Sequence, residues 1–281
     1  MTRTWLITGV SAGLGRALAR AALDRGDTVA GTVRSAAAAE AFEVLAADRA
    51  VAFQMDVTNE AAVKAVVGEV QERLGPIDVA VNNAGYGLVG AVEEASLDEV
   101  RAQFETNVFG PLAVMKAVLP AMRARRTGRI VNVTSVSGLA TWAGTGVYCA
   151  SKHALVALTQ TMAAELAELG VKVINVAPGG MRTDFAGRSQ HLVAEKLADY
   201  DGLAREAERI LADHAGQESG DPDRMAQAIL KVVDAESPPL HLLLGEDALK
   251  YAGYGRDALW ADIDAWREVS LSTAFDDAPQ H

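Results

Sequence analysis

Short apolar runs separated by helix-length amphipathic stretches set the strongest limit on how this 281-residue chain can fold. Candidate strands cover residues 4–8, 28–33, 50–56, 77–82, 129–134, 171–177 and 240–244. Helix-length segments lie between most of them, such as 14–25, closed by Gly26, and 60–74, closed by Gly75-Pro76. Ser96-Leu97-Asp98-Glu99 has the spacing of a capping box and predicts a helix start there. Strands alternating with helices make βαβ units with right-handed crossovers and a parallel sheet covered on both faces. The expected fold class is therefore α/β: a doubly wound, seven-stranded parallel sheet with helices on both faces. Half of the residues are hydrophobic and only 5% are aromatic, which suits Val- and Leu-rich strands packed against Ala-rich helices.

The first strand runs into Thr8-Gly9-Val10-Ser11-Ala12-Gly13-Leu14-Gly15, and a helix follows at once. Glycines let a backbone turn sharply and approach a pyrophosphate. The helix N-terminus adds free N–H groups and a positive dipole end. The first β–α junction is also where doubly wound folds hold dinucleotides. The second strand ends Gly31-Thr32-Val33-Arg34, with no acid to bind a ribose 2′-hydroxyl. Arg34 can instead pair with a 2′-phosphate through charge-assisted bonds. NADP(H) is expected in preference to NAD(H), and Val33→Asp should weaken NADP far more than NAD. Asp56, in Met55-Asp56-Val57, could accept from an adenine amino group, although by itself it reads as a turn residue. Asn82-Asn83-Ala84-Gly85 would let the backbone pass close to a ribose, and on local grounds it too is only a turn.

Tyr148 and Lys152 are four residues apart, so on a helix they share a face. Ser135 ends the fifth strand; if the intervening loop doubles back, its hydroxyl and the Tyr148 phenol can flank one substrate oxygen. Reducing a ketone needs a proton on oxygen as hydride reaches carbon. A free tyrosine has a pKa of about 10. An ammonium about 4 Å away, at an effective dielectric of about 20, favours phenolate by about 4 kcal/mol. Lys152 is therefore expected to bring Tyr148 toward about 7, where acid–base catalysis works best. Ser135 would hold and polarise the carbonyl oxygen. An isolated Tyr-x-x-x-Lys pair is more often a solvated helix face; its combination with the glycine loop singles it out.

These motifs together resemble the short-chain dehydrogenase/reductase family in its single-domain branch, which has a Rossmann fold. The matches are Thr8-Gly9-x-x-x-Gly13-x-Gly15, Asn82-Asn83-Ala84-Gly85, Asn107, Ser135, Tyr148-x-x-x-Lys152, and Pro178-Gly179 with Thr183, in family order. The resemblance implies that Asn107 anchors a water linking Lys152 to solvent, with a structural helix kink as the plainer role. It also implies that Asp56 and Val57 bind adenine, that Asn83-Ala84-Gly85 bind the nearby ribose, and that Pro178-Gly179 and Thr183 hold the nicotinamide amide. Tyr148 and Lys152 would touch the cofactor as well as the substrate. Relatives that use NADP often carry a basic residue inside the glycine loop. Val10, Ser11 and Ala12 stand there here, so Arg34 carries the phosphate argument, with Ser11 adding a hydroxyl.

The family layout places the substrate mouth at 86–92, 137–147 and from 180 onward. Trp142, Val147, Met181 and Phe185 favour a hydrophobic ketone or secondary alcohol. A single domain spanning 1–281 is expected, with a helical lid at about 184–237 and a C-terminal extension at about 246–281. A helix over 257–269 is expected to cover the last strand's edge and to limit assembly to a homodimer, with a tetramer as the other outcome. Residues 1–183 carry 17 acidic and 17 basic side chains, whereas 184–281 carry 20 and 9. The net charge of −11 argues against a nucleic-acid partner, and the front part suits an anionic cofactor. The lone cysteine, Cys149, excludes an internal disulfide and suggests a reducing, cytoplasmic setting. No signal peptide, membrane span or metal site is expected. A catalytically silent NADP(H)-sensing regulator and a nucleotide-sugar epimerase are the competing readings. The intact Ser135, Tyr148 and Lys152 set disfavours the first, and the glycine spacing disfavours the second.

Overall fold

A computed structural model describes residues 2–183 and 189–275, so Phe185 and the start of the expected lid lie outside the described residues. Seven parallel strands form the main sheet: β1 (Thr4–Thr8), β2 (Thr28–Val33), β3 (Ala50–Gln54), β4 (Val79–Asn82), β6 (Gly128–Val133), β7 (Val171–Pro178) and β9 (His241–Leu244). Their spatial order is β3-β2-β1-β4-β6-β7-β9. The order reverses between β1 and β4, so the loops leaving the carboxyl ends of those two strands diverge to opposite faces and open a crevice.

Both faces of the sheet are buried, as the apolar runs require. Side chains alternate along each strand. Trp5 and Ile7 of β1 join one core, with Leu14, Leu18 and Leu23 of α1 (Gly13–Asp24) and Ile229 and Val233 of α8 (Pro222–Asp234). Leu6 points the other way, into a core shared with α3 (Glu60–Leu74), α5 (Gly110–Arg125) and α6 (Gly146–Leu166). Of the remaining helices before the site, α2 spans Ala36–Glu43 and α4 spans Leu97–Phe104. At the start of α4 the capping box is made: Ser96 Oγ accepts from Glu99 N–H, and the Glu99 carboxylate accepts from Ser96 N–H.

Four features differ from the sequence reading. Strand β3 stops at Gln54, because the Asp56 carboxylate accepts from Thr58 N–H (2.9 Å) and Thr58 Oγ1 (2.8 Å), which turns the chain. A separate two-stranded parallel ribbon joins β5 (Gly87–Val89) to β8 (Gln190–Leu192). The segment expected to be a lid divides in two. Helix α8 lies in the core against α1, whereas β8 and α7 (Leu203–Asp213) lie over the loops after β4 and β6. There the buried Glu94 carboxylate accepts from Ala91 N–H and Leu197 N–H and pairs with Arg205 of α7. The fourth difference is at the C-terminus. Helix α9 runs Glu246–Ala265 and is followed by α10 (Arg267–Leu271), and residues 256–275 are exposed throughout. The 257–269 stretch therefore does not cover the β9 edge within the chain, and the stated reason for assembly stopping at a dimer falls with it.

Candidate active site

The crevice at the carboxyl edge of β1 and β4 is shaped by the glycine loop. Gly9 (φ +73°) and Gly13 (φ +57°) take the left-handed conformation that side chains disfavour. Gly9 N–H and Val10 N–H both donate to Thr32 O, at 3.1 and 3.2 Å, which ties the loop to β2. Helix α1 begins with Ala12 as N-cap, no side-chain cap and no acid in its first turn. Its first N–H groups thus remain aimed at the crevice, with the positive dipole end unopposed. Ser11 is exposed there, whereas the Leu14 side chain is core and only its backbone can face an anion.

The loop after β4 braces this turn. Asn83 Nδ2 donates to Thr8 O (2.9 Å) and Gly9 O (3.0 Å), while Thr8 Oγ1 accepts from Asn83 N–H and Ala84 N–H. A Cβ at Gly15 would overlap both Asn83 Nδ2 and Gly9 O, so only glycine fits. The Asn83 amide and N–H are therefore committed to bracing the loop. The same braces bring the two ends of the site together. Gly85 faces Asn107 and Lys152, and Gly13 faces the Thr183 side chain.

Arg34 is exposed at the end of β2. Val33, by contrast, is 3% exposed and belongs to the core, so an Asp there would be buried rather than presented to a 2′-phosphate. Asp56 lies beyond β3 with its carboxyl held below the usual range by the Thr58 N–H and hydroxyl, and by a smaller pull from Arg34. Val57 packs against Gly110, and its side chain is core.

At the reactive end, Ser135 follows β6 and starts a 3-10 turn, where its Oγ accepts from Ser137 N–H. The loop does double back: the Ser135 side chain comes close enough to the Tyr148 phenol on α6 to lower its pKa. Lys152, one turn further on, is 6% exposed. Its Nζ donates to Val133 O at 3.0 Å and lies 5.8 Å from the Tyr148 ring centre. The electrostatic outcome corrects the expectation for this pair. Burial pushes the Tyr148 phenol up to about 12, against a smaller lowering by the Ser135 side chain, and burial takes Lys152 down to about 8. At both residues the largest cause is desolvation, which disfavours the charged form.

Asn107 sits in a π-helical turn, Glu105–Phe109, between α4 and α5. Such turns recur where a helix must re-aim a functional residue. Its Nδ2 donates to Tyr86 O (2.9 Å) and Ser151 Oγ (3.1 Å), and its Oδ1 accepts from Tyr86 N–H (3.2 Å). Ser151 Oγ in turn donates to Tyr148 O. Asn107 thus ties the loop after β4 to the helix carrying Tyr148 and Lys152. Sequence reasoning gave Thr8 no role beyond opening the glycine motif, and it missed Ser151 and the fully buried Gln103, which bonds Tyr86 O and Leu88 N–H. Small polar residues give no signal of their own until a partner faces them.

Of the apolar candidates, Trp142 is half-buried, with its ring edge-on to Tyr251 at 5.5 Å. Met181 is half-buried beside the core. Val147 is 8% exposed and packs with Leu88 and Val193, which makes it core rather than lining. Among the described residues, no group of three or more His, Cys, Asp or Glu could hold a metal. No described helix is long and apolar enough to cross a membrane.

Comparison with known proteins reaches the same place. The family model for short chain dehydrogenases matches residues 3–192. An oxidoreductase of Botryotinia fuckeliana, BOA17, is 38% identical over 98% of this chain and 100% of its own length. The 3-ketodihydrosphingosine reductase of Bacteroides thetaiotaomicron is 34% identical over 85% and 87% of the two chains. The crystal structure of a short-chain dehydrogenase from Streptomyces avermitilis superposes with a TM-score of 0.91, at 39% identity, covering 98% of this chain and 99% of that one. An alcohol dehydrogenase from Thermococcus sibiricus complexed with 5-hydroxy-NADP superposes at 0.71, with 26% identity over 87% and 96%. With fold, motif order and near full-length similarity in agreement, this chain belongs to the short-chain dehydrogenase family of NAD(P)-dependent oxidoreductases.

Proposed function

We propose that the chain interconverts a ketone or aldehyde and an alcohol on a hydrophobic small molecule, with NADP(H) as cofactor and Tyr148 as general acid and base. The observation that carries this reading is the approach of the Ser135 side chain to the Tyr148 phenol. Two hydroxyls from different elements converge on one point, as flanking a single substrate oxygen requires. Ser135 would polarise that oxygen. Tyr148, whose pKa of about 12 keeps it neutral at physiological pH, is set to donate its proton as the carbonyl is reduced. Lys152, largely protonated at neutral pH with a pKa of about 8, favours the phenolate left behind and returns a proton to it. Both Asn107 Nδ2 hydrogens are taken, while Oδ1 accepts one bond from Tyr86 N–H and keeps a second acceptor site, which would hold a water linking Lys152 to solvent.

The residues present fit a dinucleotide. The uncapped, acid-free start of α1 suits a diphosphate, and the exposed Arg34 suits a 2′-phosphate. The backbone from Gly9 to Gly15, Ser11, Asp56, Val57, Ala84, Gly85, Pro178, Gly179 and Thr183 would hold it. When bound, the cofactor supplies or accepts the hydride. A solved relative that binds 5-hydroxy-NADP supports this choice. Trp142 and Met181, and a relative named for reducing 3-ketodihydrosphingosine, support a hydrophobic ketone. The β8–α7 segment would serve as the lid, self-association as a homodimer is proposed, and the lone buried Cys149 fits a cytoplasmic setting. The test follows NADPH absorbance with a panel of aryl and long-chain ketones beside sugar-like carbonyls. Oxidation with the hydrophobic set is expected. A protein that binds NADPH yet turns over no carbonyl would sink the proposal.

A further inference from the structure

Helix α9 places Asp247, Tyr251 and Gly255 at i, i+4 and i+8, so they share one face. Each meets a different part of the site. The Asp247 carboxylate accepts from Gly180 N–H at 2.7 Å, directly after β7. Tyr251 packs edge-on against Trp142 at 5.5 Å. Gly255 lies so close to the loop after Ser135 that a Cβ there would sit 2.5 Å from Leu139 O. One helical stripe therefore props the two loops that flank the crevice. The Asp247 carboxylate also fills the space a Cβ at Gly179 would need, so a side chain there would push the carboxylate off Gly180 N–H.

We infer that Asp247 is a positioning residue for the nicotinamide half of the cofactor, acting through the Gly179-Gly180 backbone. The inference rests on the cofactor role proposed for Pro178-Gly179. The plainer role for Asp247 is to stabilise the start of α9, since its Oδ1 also accepts from Ala248 N–H at 2.9 Å. That role alone would not bring its second oxygen to Gly180. It also predicts a loss of folded protein rather than of cofactor affinity.

The experiment measures NADPH dissociation constants by fluorescence, with thermal melts alongside, for wild type, Asp247→Ala, Asp247→Asn, Gly179→Ala and the double variant Asp247→Ala/Gly179→Ala. If wild type binds only NADH, the same series is run with NADH; if it binds neither, the proposed function fails before this inference is tested. Asp247→Ala is expected to weaken binding about tenfold, the loss of a hydrogen bond to a charged group. Asp247→Asn, which keeps an acceptor for Gly180 N–H, is expected to stay within about threefold of wild type. Gly179→Ala is expected to be the weakest binder, and removing the carboxylate in the double variant should recover affinity, a non-additivity that marks direct contact. Additive effects, or an Asp247→Ala protein that melts earlier but binds NADPH as wild type does, would overturn the assignment.

Discussion

Lys152→Met removes a charge that the fold holds out of water. The side chain is 6% exposed, and burial moves its pKa from 10.5 to about 8. That displacement corresponds to about 3 kcal/mol of instability for carrying the ammonium below its folded pKa. Between about pH 8 and 10.5 the folded state binds fewer protons than the unfolded state, so this cost is relieved as pH rises through that window. Methionine fills a similar volume but gives up the hydrogen bond to Val133 O, worth about 1–2 kcal/mol. At neutral pH the variant should therefore be more stable by about 1–2 kcal/mol, and the advantage should vanish or reverse by about pH 10. Tyr148, whose pKa rises from 10.0 to about 12 on folding, adds its own pH dependence from about pH 10 upward, but both proteins carry it and it cancels from their difference. Urea unfolding of both proteins across this range reads the difference directly. A variant less stable than wild type at pH 7, or a difference that is flat with pH, would refute the claim that desolvation dominates Lys152.

Three further outcomes are expected. Arg34→Asp, at an exposed position, should raise the NADPH dissociation constant about 10- to 100-fold while leaving NADH within about threefold; equal effects on both would remove the basis for the NADP preference. Gly15→Ala forces a Cβ onto Asn83 and Gly9, so calorimetry should show about 1–3 kcal/mol of lost stability and titration at least tenfold weaker NADPH binding. Ser135→Ala should lower kcat about 100-fold with little change in NADPH affinity, read by steady-state kinetics beside cofactor titration.

Much of this architecture was legible because it follows local chemistry. The strand at 4–8 and the helix at 60–74 coincide with β1 and α3, and the Ser96 capping box forms. What escaped depends on distant partners. The ribbon of β5 and β8 has three residues per strand, too few for a periodic signal. The expected move of Tyr148 toward neutrality leaves out the desolvation that only packing reveals, and burial moves the phenol the other way. Val33 and Val147 read as available surface until the core closed over them. Asp247 lies 68 residues from Gly179 in sequence, and nothing local links them.

The most direct test is Tyr148→Phe, which removes one hydroxyl while keeping the ring, with carbonyl turnover and NADPH affinity measured on the same preparation. A loss of about 10²–10⁴-fold in kcat at essentially unchanged affinity is the predicted result, the range general acid catalysis contributes. Turnover within a few-fold of wild type would contradict the assignment of the phenol as proton donor.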